Sequence, residues 1–454
     1  MHTDTQTDDR NRVPEILGNR LTRTLSDIDL QHSFEWRPEL ADFVNWSENV
    51  DSPIHRWYKY REGYSSRLIT ELDLGQRILD PFCGCGSMMV GAAQLDRASR
   101  GIDVNPLAIF AARVKLTPLS PNQLCEIECF TDEIEALAAT ADPWPTPRLN
   151  ISHKVFEPVI LDTLMRIRFA IEDRAEDIQV RDFLLLAWLA ILETVGSYFK
   201  EGNGIKYRNK KRLKSGYVTR LDGEWQQQRF GHDQPAFVTS KLRHQLVTML
   251  SDVGAWRQGN WTGQSVTAGS ALDMDTIVGG ETFDSIVFSP PYANRFDYFE
   301  SLKVELWFGG FVQSYDDLNA YRKKSLRSHL GADLKKESAE LGPLEDLLAL
   351  MDQESSSWRM GVPTALRGYF DDMYNVLRRC RTLLPDGKCH VVVGNSAFAG
   401  AIIPTDSLIA SLGLKAGFSK AKIVVVRHLT VAPQQRTLLK GRESYMRESV
   451  VILQ

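Results

Sequence analysis

At 454 residues the chain exceeds the usual size of one compact domain, so a catalytic core with a second lobe or a large insertion is the expected organisation. Hydrophobic residues at 43% and charged residues at 25% match an ordinary globular protein and exclude fibrous and disordered classes. A formal net charge of −4 excludes general attraction to phosphate, so any nucleic-acid surface must be a local basic patch.

The opening MHTDTQTDDRNR has almost no apolar side chains and lacks the basic start and apolar run of a secretory signal, so residues 1–35 are expected as a polar N-terminal tail. Six cysteines in so long a chain make no disulfide framework, which points to a reducing cytoplasm. The longest apolar run, Phe183 to Leu192, is too short to span a bilayer and is flanked by Arg181, Asp182 and Glu193. It reads as a buried helix, and no membrane partner is expected.

Residues 53–75 are aromatic and basic, with Ser65 or Ser66 able to cap a helix that ends near Gly75. Gln76 to Asp80 is a short apolar strand, PFCGCGS a glycine-rich turn and MMVGAAQL the helix it opens. A second strand ends at Gly101-Ile102-Asp103, and Asn105-Pro106 starts the helix LAIFAARVKL. This βαβα alternation predicts a parallel sheet. The pattern breaks from 118 to 262, where proline-rich joints, two expected helices and a polar, basic stretch read as an inserted lobe between catalytic parts 36–117 and 263–454. Strands resume at SVTAG and FDSIVFS, the latter running into Pro290-Pro291-Tyr292. A helix before Pro385-Asp386-Gly387, the strand KCHVVVGN, a helix over 405–416, the strand AKIVVVRHL and a closing antiparallel RESVVILQ complete the chain.

The loop from Asp80 through Phe82, Gly84 and Gly86 lets backbone approach a ligand at the carboxyl end of a strand; alone, it serves a dinucleotide or a plain tight turn equally well. Asp103, 23 residues after Asp80, is placed to accept from two ribose hydroxyls, or to cap the helix at Pro106. The discriminating feature is Ser289-Pro290-Pro291-Tyr292. A conjugated exocyclic amine is a poor nucleophile, so a catalyst must accept its hydrogens and align its nitrogen with the methyl donor. Ser289 Oγ and a proline-held carbonyl can accept them, and Tyr292 offers a ring on which an extruded base can stack. As isolated features, the same residues make a stiffened turn and a core tyrosine.

In the order DPFCGCGS, GIDVNP, SPPY, the sequence resembles the amino-methyltransferases of DNA that use S-adenosylmethionine. NRFDYFESLKVELWF, VVVGNSAFAG and RESVVIL are similar to the restriction-modification type, so the resemblance covers most of the catalytic domain but not the insertion. It implies a class I methyltransferase fold, an α/β architecture whose mainly parallel seven-stranded sheet carries helices on both faces, with a mixed, largely helical insertion. It further implies that Phe82, Gly84 and Gly86 line the methionine portion of the cofactor, Asp103 holds the ribose, Asp80 anchors the loop and Asp273 meets the adenine amino group. Tyr60 and Ser65 resemble the motif that closes over the methionine end. Catalysis would fall to Ser289, Pro290, Pro291 and Tyr292.

Cytosine-N4 members of this family favour Ser-Pro-Pro-Tyr, which inclines the reading toward cytosine. Adenine N6 in DNA, a guanine amine in RNA and a non-catalytic nucleic-acid-binding subunit stand as alternatives. Partners implied are double-stranded DNA and a cognate restriction endonuclease. Lys206, Arg208, Lys210, Lys211, Arg212 and Lys214, beside Tyr207, Tyr217 and Trp225, form a candidate DNA-contacting stretch or a solvated charge run. Arg322, Lys323, Lys324 and Arg327 are a second candidate. Cys125 and Cys129 lack the further ligands of a zinc site, so no metal is expected.

Overall fold

The computed structural model describes residues 15–60, 63–202, 204–212, 218–221, 223–257, 259–294, 296–328, 341–352, 361–398, 400–431 and 433–454. Its main sheet has eight strands: β1 (Ser33–Trp36), β2 (Arg77–Asp80), β3 (Ala98–Asp103), β4 (Gln264–Ala268), β5 (Ser285–Phe288), β6 (Lys388–Gly394), β7 (Ala421–His428) and β8 (Arg447–Leu453). Their spatial order is β1, β7, β8, β6, β5, β2, β3, β4. All neighbours are parallel except β8, which runs antiparallel to both β6 and β7. This is the class I methyltransferase fold with one strand more than the seven expected. The addition is β1, which pairs with β7 at the edge, Ser33 opposite Lys422 and Trp36 opposite Val425.

That edge strand corrects the reading of residues 1–35 as a tail. Helix α1 (Glu15–Asp29) precedes β1, and Leu21, Leu25 and Ile28, spaced four and three apart, are buried. A polar stretch hides such a stripe because three apolar residues suffice to anchor one helical face.

Alternation along the strands divides the core. Ile78 of β2, Val287 of β5 and Val450 of β8 face one cluster, while Leu79, Ile286 and Val451 face the other. Helices α2 (Ser87–Gln94) and α3 (Pro106–Leu116) belong to the first face. Asn105 caps α3, its Oδ1 accepting from Leu107 N at 3.0 Å, and Pro106 supplies the preset first helical φ. Residues 118–262 contribute four long helices rather than two: α4 (Pro121–Thr140), α5 (Pro158–Arg174), α6 (Ile178–Val195) and α7 (Gln234–Asp252). The apolar run of α6 is buried, and Trp188 donates from its indole to Leu164 O at 3.1 Å. These helices share one core with α2 and α3. On the opposite face lie α8 (Val362–Leu383) and α9 (Thr405–Lys415). Among the described residues no helix is long and apolar enough to cross a membrane, and all six cysteines are free thiols.

Candidate functional site

From β2 the chain moves outward to β3 and β4; from β5 it moves the other way, so the sheet reverses direction between β2 and β5. Ligands bind α/β sheets at the carboxyl ends flanking such a reversal. Pairing of Ile78 with Ser285 and Leu79 with Ile286 brings the glycine loop and Ser289-Pro290-Pro291-Tyr292 out of the sheet side by side. The rings of Phe82 and Phe288 lie 5.3 Å apart across this seam. Both loops line one cavity of about 580 Å³.

One wall of the cavity is held by two carboxylates, Asp80 buried and Asp103 half-buried. Asp80 Oδ1 accepts from Phe82 N at 2.9 Å and Oδ2 from the Tyr64 phenol at 3.0 Å, so Asp80 fixes the loop from inside. Burial raises its pKa to about 7, against the lowering effect of those two donors. Asp103 Oδ2 accepts from Gly84 N at 2.9 Å and Oδ1 from Asn105 N at 2.8 Å, and burial raises its pKa too. Each oxygen keeps a lone pair for a ligand hydroxyl. Gly84 and Gly86 adopt φ of +50° and +82°. A Cβ on Gly84 would stand 2.9 Å from the ring of Tyr60, so the ring rests directly on the loop.

Tyr60, Asp80, Phe82, Gly84 and Asp103 all line the cavity. Three expected residues do not. Gly86 lies just behind the wall, where it turns the chain into α2, and a Cβ there would meet Ala112 Cβ at 3.1 Å. Ser65 is buried elsewhere: its hydroxyl donates to Glu48 Oε2 at 3.0 Å and accepts from Arg67 N at 3.2 Å, ahead of a single helical turn at Leu68–Glu71. Asp273 is exposed at the end of the turn Ala271–Asp273, and Ser270 and Ala271 form that part of the wall instead.

Sequence reasoning missed Tyr64, Asn105, Arg427 and Glu448, which also line the cavity. Tyr64 had a visible signal, lying four residues from Tyr60 in the same aromatic segment. Asn105 is buried with its Nδ2 unpartnered while its Oδ1 caps α3. Glu448 accepts from the Tyr292 phenol at 2.7 Å and from Arg427 Nε at 2.6 Å. Burial raises the Tyr292 pKa, and the Glu448 charge adds to it, so the phenol stays protonated.

Of the basic stretch, Lys206, Lys210 and Lys211 are exposed; the Lys210 ammonium lies 4.0 Å over the Tyr207 ring and Arg208 stacks on Phe199 at 5.1 Å. Arg212 ends the strand Lys210–Arg212, while Lys214 and Tyr217 lie outside the described residues. The hairpin of Tyr198–Glu201 and Gly204–Tyr207 links this stretch to the cavity, which Lys200, Glu201 and Gly202 line. Two of the four residues of the second basic candidate are tied down, while Lys323 and Lys324 are exposed and Lys324 lines the cavity. Arg322 pairs with Asp297 at 2.6 Å, and Arg327 with Asp371 at 2.6 Å and Asp372 at 2.7 Å. Among the described residues no three His, Cys, Asp or Glu side chains group to hold a metal ion.

No family model matches the chain. The Type II methyltransferase M.BsoBI of Geobacillus stearothermophilus is 26% identical over 456 residues, spanning 90% of this chain and 87% of that protein. The Type II methyltransferase M.AvaI of Nostoc sp. is 26% identical over 421 residues, spanning 84% and 83%. Among solved structures, the rRNA methyltransferase aviRa of Streptomyces viridochromogenes aligns over 90% of this chain and 92% of its own at 10% identity and a TM-score of 0.27. The chain is a methyltransferase and S-adenosylmethionine is its methyl donor. The cavity fits that group: bare glycine backbone, two carboxylates facing a cationic sulfonium compound, and one unused buried amide donor at Asn105.

Replacing Asp103 with alanine is expected to weaken cofactor binding by roughly 1–3 kcal/mol, the loss of charge-assisted hydrogen bonds. Calorimetry with S-adenosylmethionine measures it; unchanged affinity in a folded variant would remove Asp103 from the site.

Proposed function

We propose that this protein methylates an exocyclic amino group of a base in double-stranded DNA, cytosine N4 in preference to adenine N6, within a restriction-modification system. The observation that carries the proposal is the shared cavity: Ser289, Pro290, Pro291 and Tyr292 line the same space as Asp80 and Asp103. The likeness to two Type II methyltransferases supports the setting, and the serine of Ser-Pro-Pro-Tyr supports cytosine.

The bound donor supplies a methyl group already activated on a sulfonium. The chain's own residues do the rest. An extruded base stacks on Tyr292, Ser289 Oγ and the Pro290 carbonyl accept the two amine hydrogens, and Pro291 stiffens the turn that holds both. Acceptors at those points draw the nitrogen lone pair out of conjugation and aim it at the methyl. Duplex DNA incubated with labelled S-adenosylmethionine, digested and chromatographed, should yield N4-methylcytosine. Label appearing as N6-methyladenine would overturn the base, and label confined to RNA would overturn the substrate.

The hairpins carrying Lys206, Lys210 and Lys211 provide the phosphate contacts. Changing all three to alanine should weaken DNA binding and lower the salt slope by about 0.9 per lost contact, with cofactor affinity unchanged. Identical titrations across salt concentrations would make this stretch only a solvated face.

A further inference from the structure

Strand β8 runs against its neighbours, so its first residues, not its last, reach the edge of the sheet where the cavity opens. Alternation then sends Arg447 and Ser449 to the Asp406 side, and Glu448 to the cavity. Glu448 is buried, its Oε2 accepting from Arg427 Nε at 2.6 Å and its Oε1 from the Tyr292 phenol at 2.7 Å. The Tyr292 ring is seated against β6, where a Cβ on Gly394 would stand 3.0 Å from it. Ser289 lies three residues before Tyr292 on the same loop, and both line the cavity.

These contacts form a directed chain. A carboxylate paired with a guanidinium can only accept, so the phenol must spend its one hydrogen on Glu448. Its oxygen then has only lone pairs to offer its surroundings and no hydrogen to spend on the Ser289 hydroxyl, which leaves the serine lone pairs to the substrate. We infer that Glu448, braced by Arg427, is a positioning residue that sets the hydrogen-bond polarity of Tyr292 and Ser289, so that Ser289 presents an acceptor to the target amine. Without it, the phenol hydrogen is free to turn onto Ser289 Oγ and compete with the amine. Tyr292 therefore has two separable duties, its ring for stacking and its hydroxyl for polarity. The inference rests on the proposed amine methylation.

Tyr292→Phe tests it, because this change keeps the ring and removes only the hydroxyl. Its kcat should fall on the order of 10–100-fold, with KM for DNA within about threefold and unaltered fluorescence of 2-aminopurine at the target position, the sign of an extruded base. Glu448→Ala should fall comparably, Glu448→Gln less, since its amide oxygen still accepts. The double variant Tyr292→Phe, Glu448→Ala should be no slower than Tyr292→Phe, because both remove one polarity device. A parent enzyme that methylates DNA while Tyr292→Phe keeps its kcat, or loses only KM, overturns the inference alone; so do additive losses in the double variant. A parent that leaves duplex DNA unmodified overturns the proposed function and this inference with it.

Discussion

Ser289→Ala is expected to lower turnover on the order of 10²–10³-fold, the usual cost of removing one preorganised hydrogen-bonding group from a reacting centre. Its effect should fall on kcat because the ground-state amine is planar and makes weak demands on an acceptor. Only as the nitrogen lone pair localises does the second hydrogen need a partner out of the ring plane. Affinity for cofactor should not change, since the Asp103 carboxylate and the Gly84 backbone lie on the other loop. Affinity for DNA should change little, since the proposed mechanism gives stacking to Tyr292 and phosphate contacts to the exposed lysines. The measurement is single-turnover methylation with labelled cofactor, alongside calorimetry for each ligand. Full activity in the variant would remove Ser289 from catalysis, and equal losses of kcat and DNA affinity would recast it as a binding residue.

Much of the catalytic core was legible because its signals are local. Strands β2 and β5 are short apolar runs that stop at glycine or proline, and both loops then emerge at one edge of the sheet. What escaped depends on distant partners. Arg322 and Arg327 look like free cations in the sequence, yet Arg327 is taken up by Asp372, 45 residues away. Glu448 lies 156 residues from Tyr292, and only the antiparallel course of β8 brings them together. Asp273 came from the family resemblance alone, and the chain turns at Ala271–Asp273 and leaves its side chain in solvent. Helix α1 and β1 were hidden by composition, since a polar background conceals a stripe of three apolar residues.

Arg447→Ala should lower stability by about 3–5 kcal/mol, the cost of breaking a buried ion pair and leaving its partners uncompensated. Arg447 donates to both Asp29 oxygens, at 2.8 and 2.9 Å, and from Nε to Asp406 Oδ2 at 2.7 Å. Burial works against its charge, but Asp406 and Asp29 outweigh that and hold it firmly protonated. One guanidinium thus ties the end of α1 to α9 and β8, and lies 4.6 Å over the Phe34 ring of β1. Asp406 is fully buried, so removing the arginine strands a carboxylate that keeps only uncharged donors, among them the Ser449 hydroxyl at 2.8 Å and Ser407 N at 2.9 Å. Urea titration followed by fluorescence should show a lower midpoint, with a triple change of Asp29→Asn, Arg447→Met and Asp406→Asn recovering part of the loss because no uncompensated charge remains. Glu448, the next residue, points to the other face, so Arg447→Ala should keep parental turnover per folded molecule, whereas Glu448→Ala should do the reverse. A stability loss below about 1 kcal/mol, the range of an exposed pair, would deny Arg447 this role. Equal damage to turnover from both substitutions would show instead that the alternation along β8 does not separate holding the fold from setting the site.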